Sequence, residues 1–479
     1  MLIDKRHGDH HFINVKWGYI LLFISLIYYA FLIYLNIRNF NRLYSKSSMK
    51  HVPLIIHGII WSIILIATFI SLLHEFNWGA FLKRFGRFSY VLVTLDILLV
   101  IRPNFINYIY LITTHKWISR LILFLGSIHS VGFLVRWVLQ GVFLTKFFKW
   151  ENSLGFAIFL AFSILAVFSL KPFRRINYVL FYLIHNVTLI LFIGLIDFHA
   201  RPGVDYLTII NVICLIFQIM SKFNVNKAVV HDLKTFGDLT VLSFEMPENF
   251  PLTLPGSHLR LSVMNWSNYF LPSHPFTFIQ RSSSNNDVSP TSANASMSEN
   301  EDTKGTLDLV INNRHRFKPS LSPYLVSYPY NSKLSLKSYD QVLLVVGGSG
   351  VGYAISILNY YRQFPEFDLT KIKTIWVTRN KKDLGILDYF RLGDDWDIYV
   401  TNSPNYTTSQ EGEESRADEV EMELLTNEDN VRPFKDGRPL LTSYQGDLLI
   451  CCGPETLIDE CGKLAKDRSI SFVHEFYGF

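Results

Sequence analysis

Residues 115–129, HKWISRLILFLGSIH, begin and end with histidine, and residues 185–199, HNVTLILFIGLIDFH, repeat the arrangement in a second apolar run. Fourteen positions make just under four turns of helix, so the two histidines of each run share nearly one face, about 21 Å apart along the axis at 1.5 Å per residue. That separation is on the scale of a bilayer core. A single apolar run, at about 154–170, lies between the two. The two histidine-bearing runs therefore cross in the same direction, and His115 meets His185 at one depth while His129 meets His199 at another. A solitary histidine in a membrane helix is often just a hydrogen-bond partner for a neighbouring helix. Two pairs at one spacing argue instead for facing imidazoles, the axial ligand set of six-coordinate haem iron.

Outward from these runs, a hydrocarbon core of about 30 Å calls for about 20 apolar residues per helix. The expectation is about seven spans, near 17–36, 52–73, 88–110, 117–139, 154–170, 177–198 and 204–221. Basic residues fall in the first connecting loop (Arg38, Arg42, Lys46, Lys50), the third (Arg102, Lys116) and the fifth (Lys171, Arg174, Arg175), but also in the second (Lys83, Arg84, Arg87). Loop charge thus divides on orientation. An odd number of spans with a cytosolic C-terminal half places the N-terminus on the far side. Asp96, inside a span, needs a partner or a cavity. Arg174 and Arg175 suit haem propionates or an anchoring role alike.

The 479 residues carry a net charge of +5 spread over loops and both halves, which excludes the continuous cationic stripe of a nucleic-acid groove. The four cysteines, Cys214, Cys451, Cys452 and Cys461, form no paired framework, in keeping with a reducing cytosol around the soluble half. The expected organisation is a tail at 1–16, a membrane domain at 17–221, a β-rich domain at 222–339 with a polar insertion at 282–304, and an α/β domain at 340–479 with a second insertion at 402–430.

In the last domain QVLLVV at 341–346 reads as a buried strand running into Gly347, Gly348, Ser349, Gly350, Val351 and Gly352 and then a helix. Such a turn brings backbone amides and the helix dipole to a dinucleotide diphosphate. The strand IWVTRN then ends in Thr378 and Arg379 where an NAD site would have an acid. Arginine there suits the 2′-phosphate of NADPH. A last strand, DLLICCGP, delivers Cys452, Gly453 and Pro454 to the ligand-binding edge of the sheet.

The histidine ladder, HPFT at 274–277, GGSGVG at 347–352 and CGP at 452–454 occur in the order that makes the chain resemble the ferric reductase and NADPH oxidase superfamily over most of its length. It looks like the short fungal form, described as a metalloreductase or an endoplasmic-reticulum NADPH oxidase. The resemblance implies a ferredoxin-reductase type of arrangement: a β-barrel FAD-binding domain and an α/β Rossmann-like NADPH-binding domain, following an all-α polytopic membrane domain. It lays His274, Pro275, Phe276 and Thr277 along FAD, Cys452, Gly453 and Pro454 beside the nicotinamide, and the terminal Phe479 over the flavin. The cofactors implied are FAD, NADPH and two b-type haems. The acceptor across the bilayer would be dioxygen, giving superoxide, or ferric or cupric ion. Without the long outer domain of the large fungal reductases, dioxygen is favoured, and the endoplasmic reticulum is preferred to the plasma membrane. The family's Gly-Pro-Tyr-Gly turn is reduced to Pro329-Tyr330-Asn331, and FKPSL at 317–321 replaces its second flavin-diphosphate segment. The competing reading is a channel or transporter with a nucleotide-sensing cytosolic domain, its histidines carrying protons or substrate.

Overall fold

The computed structural model describes residues 2–42, 54–70, 77–101, 108–200, 203–223, 225–245, 253–264, 271–281, 305–313, 317–327, 330, 334–393, 395–401 and 432–476. Both expected insertions, Pro329, Asn331 and Phe479 lie outside the described residues. The chain forms two compact units, one helical up to Asn224 and one rich in strands from Val225.

The helical unit comprises α1 (Leu2–Arg42), α2 (Leu54–Ile70), α3 (Trp78–Val100), α4 (Tyr108–Leu139), the short α5 (Phe143–Phe147), α6 (Trp150–Phe168), the short α7 (Lys171–Ile176), α8 (Tyr178–Ala200) and α9 (Asp205–Phe223). Parts of α1, α4, α6, α8 and α9 are long and apolar enough to cross a membrane. Their outward faces show the inverted pattern of a membrane protein, with Phe23, Phe124, Val135 and Ile213 exposed.

The third helix departs from expectation. It begins at Trp78 rather than 88, capped by Asn77, whose side chain accepts from the amides of Gly79 and Ala80 at 2.9 and 3.2 Å. Lys83, Arg84 and Arg87, expected in a loop, therefore belong to the helix. Packing accommodates two of them: Arg84 is fully buried, with Nε donating to Asn14 at 2.9 Å, and Arg87 donates to the Gly203 carbonyl at 3.0 Å. The charges lower the mean hydropathy of α3 although it is the helix at the centre of the unit, its Phe88, Val91, Leu92, Leu95 and Leu99 packing with Leu21, Ile118, Ile122 and Ile193. Two of the three cations that divided the charge argument, Arg84 and Arg87, are thus packing residues of a buried helix, while Lys83 is exposed.

The second unit joins two sheets. The first is antiparallel, built of β1 (Val225–Ala228), β2 (Val230–Phe236), β3 (Leu239–Glu245), β4 (His258–Val263), β5 (His274–Arg281), β6 (Thr306–Asn312) and β7 (Tyr324–Ser327) in the order β1-β7-β4-β5-β6-β3-β2. Its edge strands β1 and β2 are separated in sequence by Val229 alone. The sheet must therefore curl until its edges approach, which gives a barrel-like shell around Leu242, Phe244, Leu259, Leu261, Phe278 and Leu309.

The second sheet is parallel, with β8 (Val342–Gly347), β9 (Ile372–Thr378), β10 (Trp396–Val400), β11 (Lys435–Asp436), β12 (Leu448–Gly453) and β13 (Ser471–Phe476) in the order β11-β10-β9-β8-β12-β13. Helices α10 (Val351–Arg362), α11 (Gly385–Tyr389) and α12 (Glu455–Asp467) connect its strands. The near-continuous apolar runs VLLVV and LLICC are what a parallel strand buried on both faces requires. Barrel residues Leu239, Val241, Ile279 and Val310 share one core with α10 and β8, so barrel and parallel sheet pack as one unit.

Candidate functional site

Within the helical unit, α4 and α8 bring the four histidines together in the expected pairs. The His115 and His185 rings lie 6.2 Å apart between centroids and the His129 and His199 rings 6.0 Å apart, near-perpendicular in both cases. Metal–imidazole bonds of about 2 Å on each side, plus the depth of each ring, span such a gap around one metal centre.

The hydrogen bonds select the ligating atom. The Nδ1 of His129 contacts the Leu82 carbonyl at 2.9 Å, and that of His199 contacts the Glu151 carbonyl at 2.7 Å. A carbonyl only accepts, so both Nδ1 atoms carry hydrogen and the Nε2 lone pairs remain for a metal. His115 Nδ1 is engaged in the same way by Asp96 Oδ1 at 2.9 Å. Three of the four rings are thus preset to ligate through Nε2, and the residues present fit bis-imidazole haem. Two glycines make room. A Cβ on Gly86 would stand 2.7 Å from His129 Nδ1, and one on Gly155 would overlap the His199 ring. Sequence reasoning missed both, because a glycine that clears space for a ring on another helix leaves no local mark.

In the parallel sheet the separate nucleotide motifs converge. The strand order turns between β8 and β12: β9 and β10 lie on one side, β13 on the other. Ligands of open α/β sheets bind outside the carboxyl ends at such a point. Gly347 ends β8, Gly348 takes φ +54°, and α10 starts at Val351. The Gly348 carbonyl accepts from the buried Trp376 Nε1 at 3.1 Å, which ties the turn to β9. Gly350 packs against the Cys452 carbonyl, and a Cβ on Gly453 would stand 3.2 Å from the Gly347 nitrogen. GGSGVG and CGP, about a hundred residues apart in sequence, therefore form one surface. Gly352 lies against Val310, so this glycine serves the close approach of α10 to the barrel.

Arg379 follows the last residue of β9 and is exposed. The nearby Asp383 could have served a ribose, but its carboxylate is buried and committed: one oxygen accepts from the Asp238 amide at 2.7 Å and the other from the Thr378 hydroxyl. Burial pushes that carboxyl up, against the pull of those two donors. Beside the CGP strand, Glu475 stands in register with Cys452, and burial pushes its carboxyl up to about 7. Nothing in the local sequence marks Glu475 for that position.

In the barrel, HPFT opens β5. His274 and Pro275 are half-buried, whereas Phe276 turns into the barrel core against Phe317, at 5.3 Å between ring centroids, and Thr277 is buried. His274, on the same side of the strand as Phe276, also lies against Phe317 at 5.3 Å between ring centroids, and Pro275 takes the opposite side. His258, in register with Thr277, stacks on Tyr330 at 5.1 Å and 12°.

Comparison with known proteins now bears on this geometry. The family description "Ferric reductase like transmembrane component" matches residues 85–196, which contain His115, His129 and His185 and end three residues before His199, and "Ferric reductase NAD binding domain" matches residues 339–466. A protein of Scheffersomyces stipitis named "Probable metalloreductase AIM14" is 32% identical over 99% of this chain and 97% of its own length. The chain belongs to the ferric reductase family. A protein of the same name from Meyerozyma guilliermondii is 30% identical over 98% of both chains. Among solved structures, phthalate dioxygenase reductase matches at a TM-score of 0.34 and 13% identity, over 54% of this chain and 69% of that one, a likeness too slight to carry an argument. As a ferric reductase family member the chain is a multi-pass membrane protein and an NAD(P)H-dependent oxidoreductase.

Proposed function

We propose that the chain passes electrons from NADPH through FAD and two b-type haems to a metal ion, ferric or cupric, on the far side of the membrane. The observation that carries this reading is the double histidine pair with three of its four Nδ1 atoms held. A channel has no need of imidazoles at ligand spacing with one nitrogen preset. Bound FAD would supply the change from two-electron to one-electron transfer, and bound haem the one-electron carriage.

The chain's own part is placement. The amides at the start of α10 and the GGSGVG turn receive the dinucleotide diphosphate, Arg379 receives the 2′-phosphate, and Cys452, Gly453 and Pro454 form the floor under the nicotinamide. His274 and Pro275 line the flavin. Arg174, on α7 ahead of α8, suits the propionates of the haem held by His115 and His185. The C-terminal half then faces the cytosol, and the membrane is the endoplasmic reticulum.

The relatives' name favours a metal acceptor over dioxygen. Purified protein driven by NADPH should produce ferrous iron from a ferric chelate with superoxide near background, both followed in one assay. Superoxide formed in proportion to NADPH consumed, with iron unreduced, would assign the acceptor to dioxygen. Lack of haem absorbance, or no reduction of the haem by NADPH, would sink the electron-transfer reading in favour of a transporter.

The arginine carries a test of its own. A charge-assisted hydrogen bond is worth about 1.5–3 kcal/mol, so Arg379→Ala should weaken NADPH binding by about tenfold to a hundredfold and leave NADH binding unchanged. Steady-state KM values for the two nucleotides check this. An equal loss for both would remove Arg379 from the 2′-phosphate.

A further inference from the structure

We propose that Asp96 is a positioning residue that lowers the reduction potential of the haem held by His115 and His185 relative to that held by His129 and His199. The inference rests on the haem reading given above and deepens it. Asp96 lies on the buried helix α3, 9% exposed, and both of its oxygens are engaged. Oδ1 accepts from His115 Nδ1 at 2.9 Å and Oδ2 from the Ser119 hydroxyl at 2.6 Å, one turn further along α4.

The second pair is held differently, since His129 and His199 each donate to a neutral backbone carbonyl. A carboxylate draws the Nδ1 hydrogen more strongly than a carbonyl does, which makes Nε2 the stronger donor and favours ferric over ferrous iron. In a site shielded from water that charge is little screened. Three of the described imidazoles thus have an Nδ1 partner, and the one anionic partner belongs to the first pair. The potentials then rise from the His115 level to the His129 level, and electrons entering at the first are drawn to the second. This gives a buried carboxylate on α3 a task beyond tying that helix to α4.

Potentiometric titration of the purified holoprotein, read by haem absorbance, tests it. Wild type should show two resolved midpoints. Asp96→Asn keeps the shape and the hydrogen-bond acceptor but removes the charge, and should raise the lower midpoint by a change of about tenfold in the equilibrium constant, about 59 mV for one electron, leaving the upper one in place. Asp96→Glu should keep the low value. Ser119→Ala frees the carboxylate of a competing donor, so the lower midpoint should fall further. Opposite signs from two variants at one contact are not what a merely structural role would produce.

Asp96→Asn with full haem and unmoved midpoints, or with both midpoints raised together, would overturn the proposal. Should that variant lose its haem, Ser119→Ala decides: a lowered midpoint supports the role and an unmoved one overturns it. Wild-type protein without a Soret band would remove the haem reading itself, whereas full haem with unchanged potentials removes only the part given to Asp96.

Discussion

His185→Ala is expected to reduce NADPH-driven electron delivery across the membrane to background, a fall of at least about a hundredfold, while reduction of a soluble dye by the same protein from the nucleotide side continues. The argument starts from the pair. His115 stays fixed by Asp96 when its partner is removed, so the vacancy is confined to one side of one 6.2 Å gap. The proposed six-coordinate site would, on losing one imidazole, hold its haem through His115 alone and release it on purification, one haem of the two proposed. The His129 and His199 pair keeps its carbonyl partners and should keep its own haem. Haem content per protein should therefore fall by about half in His185→Ala and to near zero when His199→Ala is added. An unchanged haem content together with an unchanged six-coordinate spectrum in the single variant would show that the pair is not a ligand set, and transport would become the better account of the histidines.

The ladder was legible in the sequence because its signal is geometric: a repeated spacing of fourteen, on two spans that must run the same way. The nucleotide turn was legible because strand, glycines and helix follow one another in the chain. What escaped were relations between distant segments. The place of α3 was misjudged by ten residues, since its cations lower its hydropathy and only packing against Asn14 and Gly203 shows why they are tolerated. Asp96 was marked as needing a partner, but His115 lies nineteen positions away on another helix, with no periodic signal linking them. HPFT shows the converse, a motif recognised whole whose members diverge. Phe276 serves the barrel core, and His274 and Pro275 stay near the surface. A linear pattern does not reveal which way each side chain of a strand faces until the curl of the sheet is known.

Gly350→Ala is expected to weaken NADPH binding by at least about tenfold without altering the haem spectrum. The reason for glycine here is space, not backbone freedom, for Gly350 has ordinary helical angles, φ −57° and ψ −15°. A Cβ would stand 2.5 Å from the Cys452 carbonyl oxygen and 3.2 Å from its carbon. Those atoms cannot move cheaply, because β12 is hydrogen-bonded to β8 on one side and β13 on the other. The turn must shift instead, away from the CGP strand, at a cost of about 1–3 kcal/mol for overpacking, and with it go the amides aimed at the diphosphate. Gly348 is the control. Its φ of +54° disfavours a side chain, but a Cβ there would meet nothing closer than Asn312 Nδ2 at 3.9 Å. Gly348→Ala should cost only the left-handed strain of about 1–2 kcal/mol and leave the turn against β12. The contrast is measurable as NADPH affinity, by titration against flavin fluorescence, with haem absorbance as the index of an intact helical unit. Equal affinities for Gly350→Ala and wild type would mean that the meeting of GGSGVG with CGP is not where the nucleotide lies.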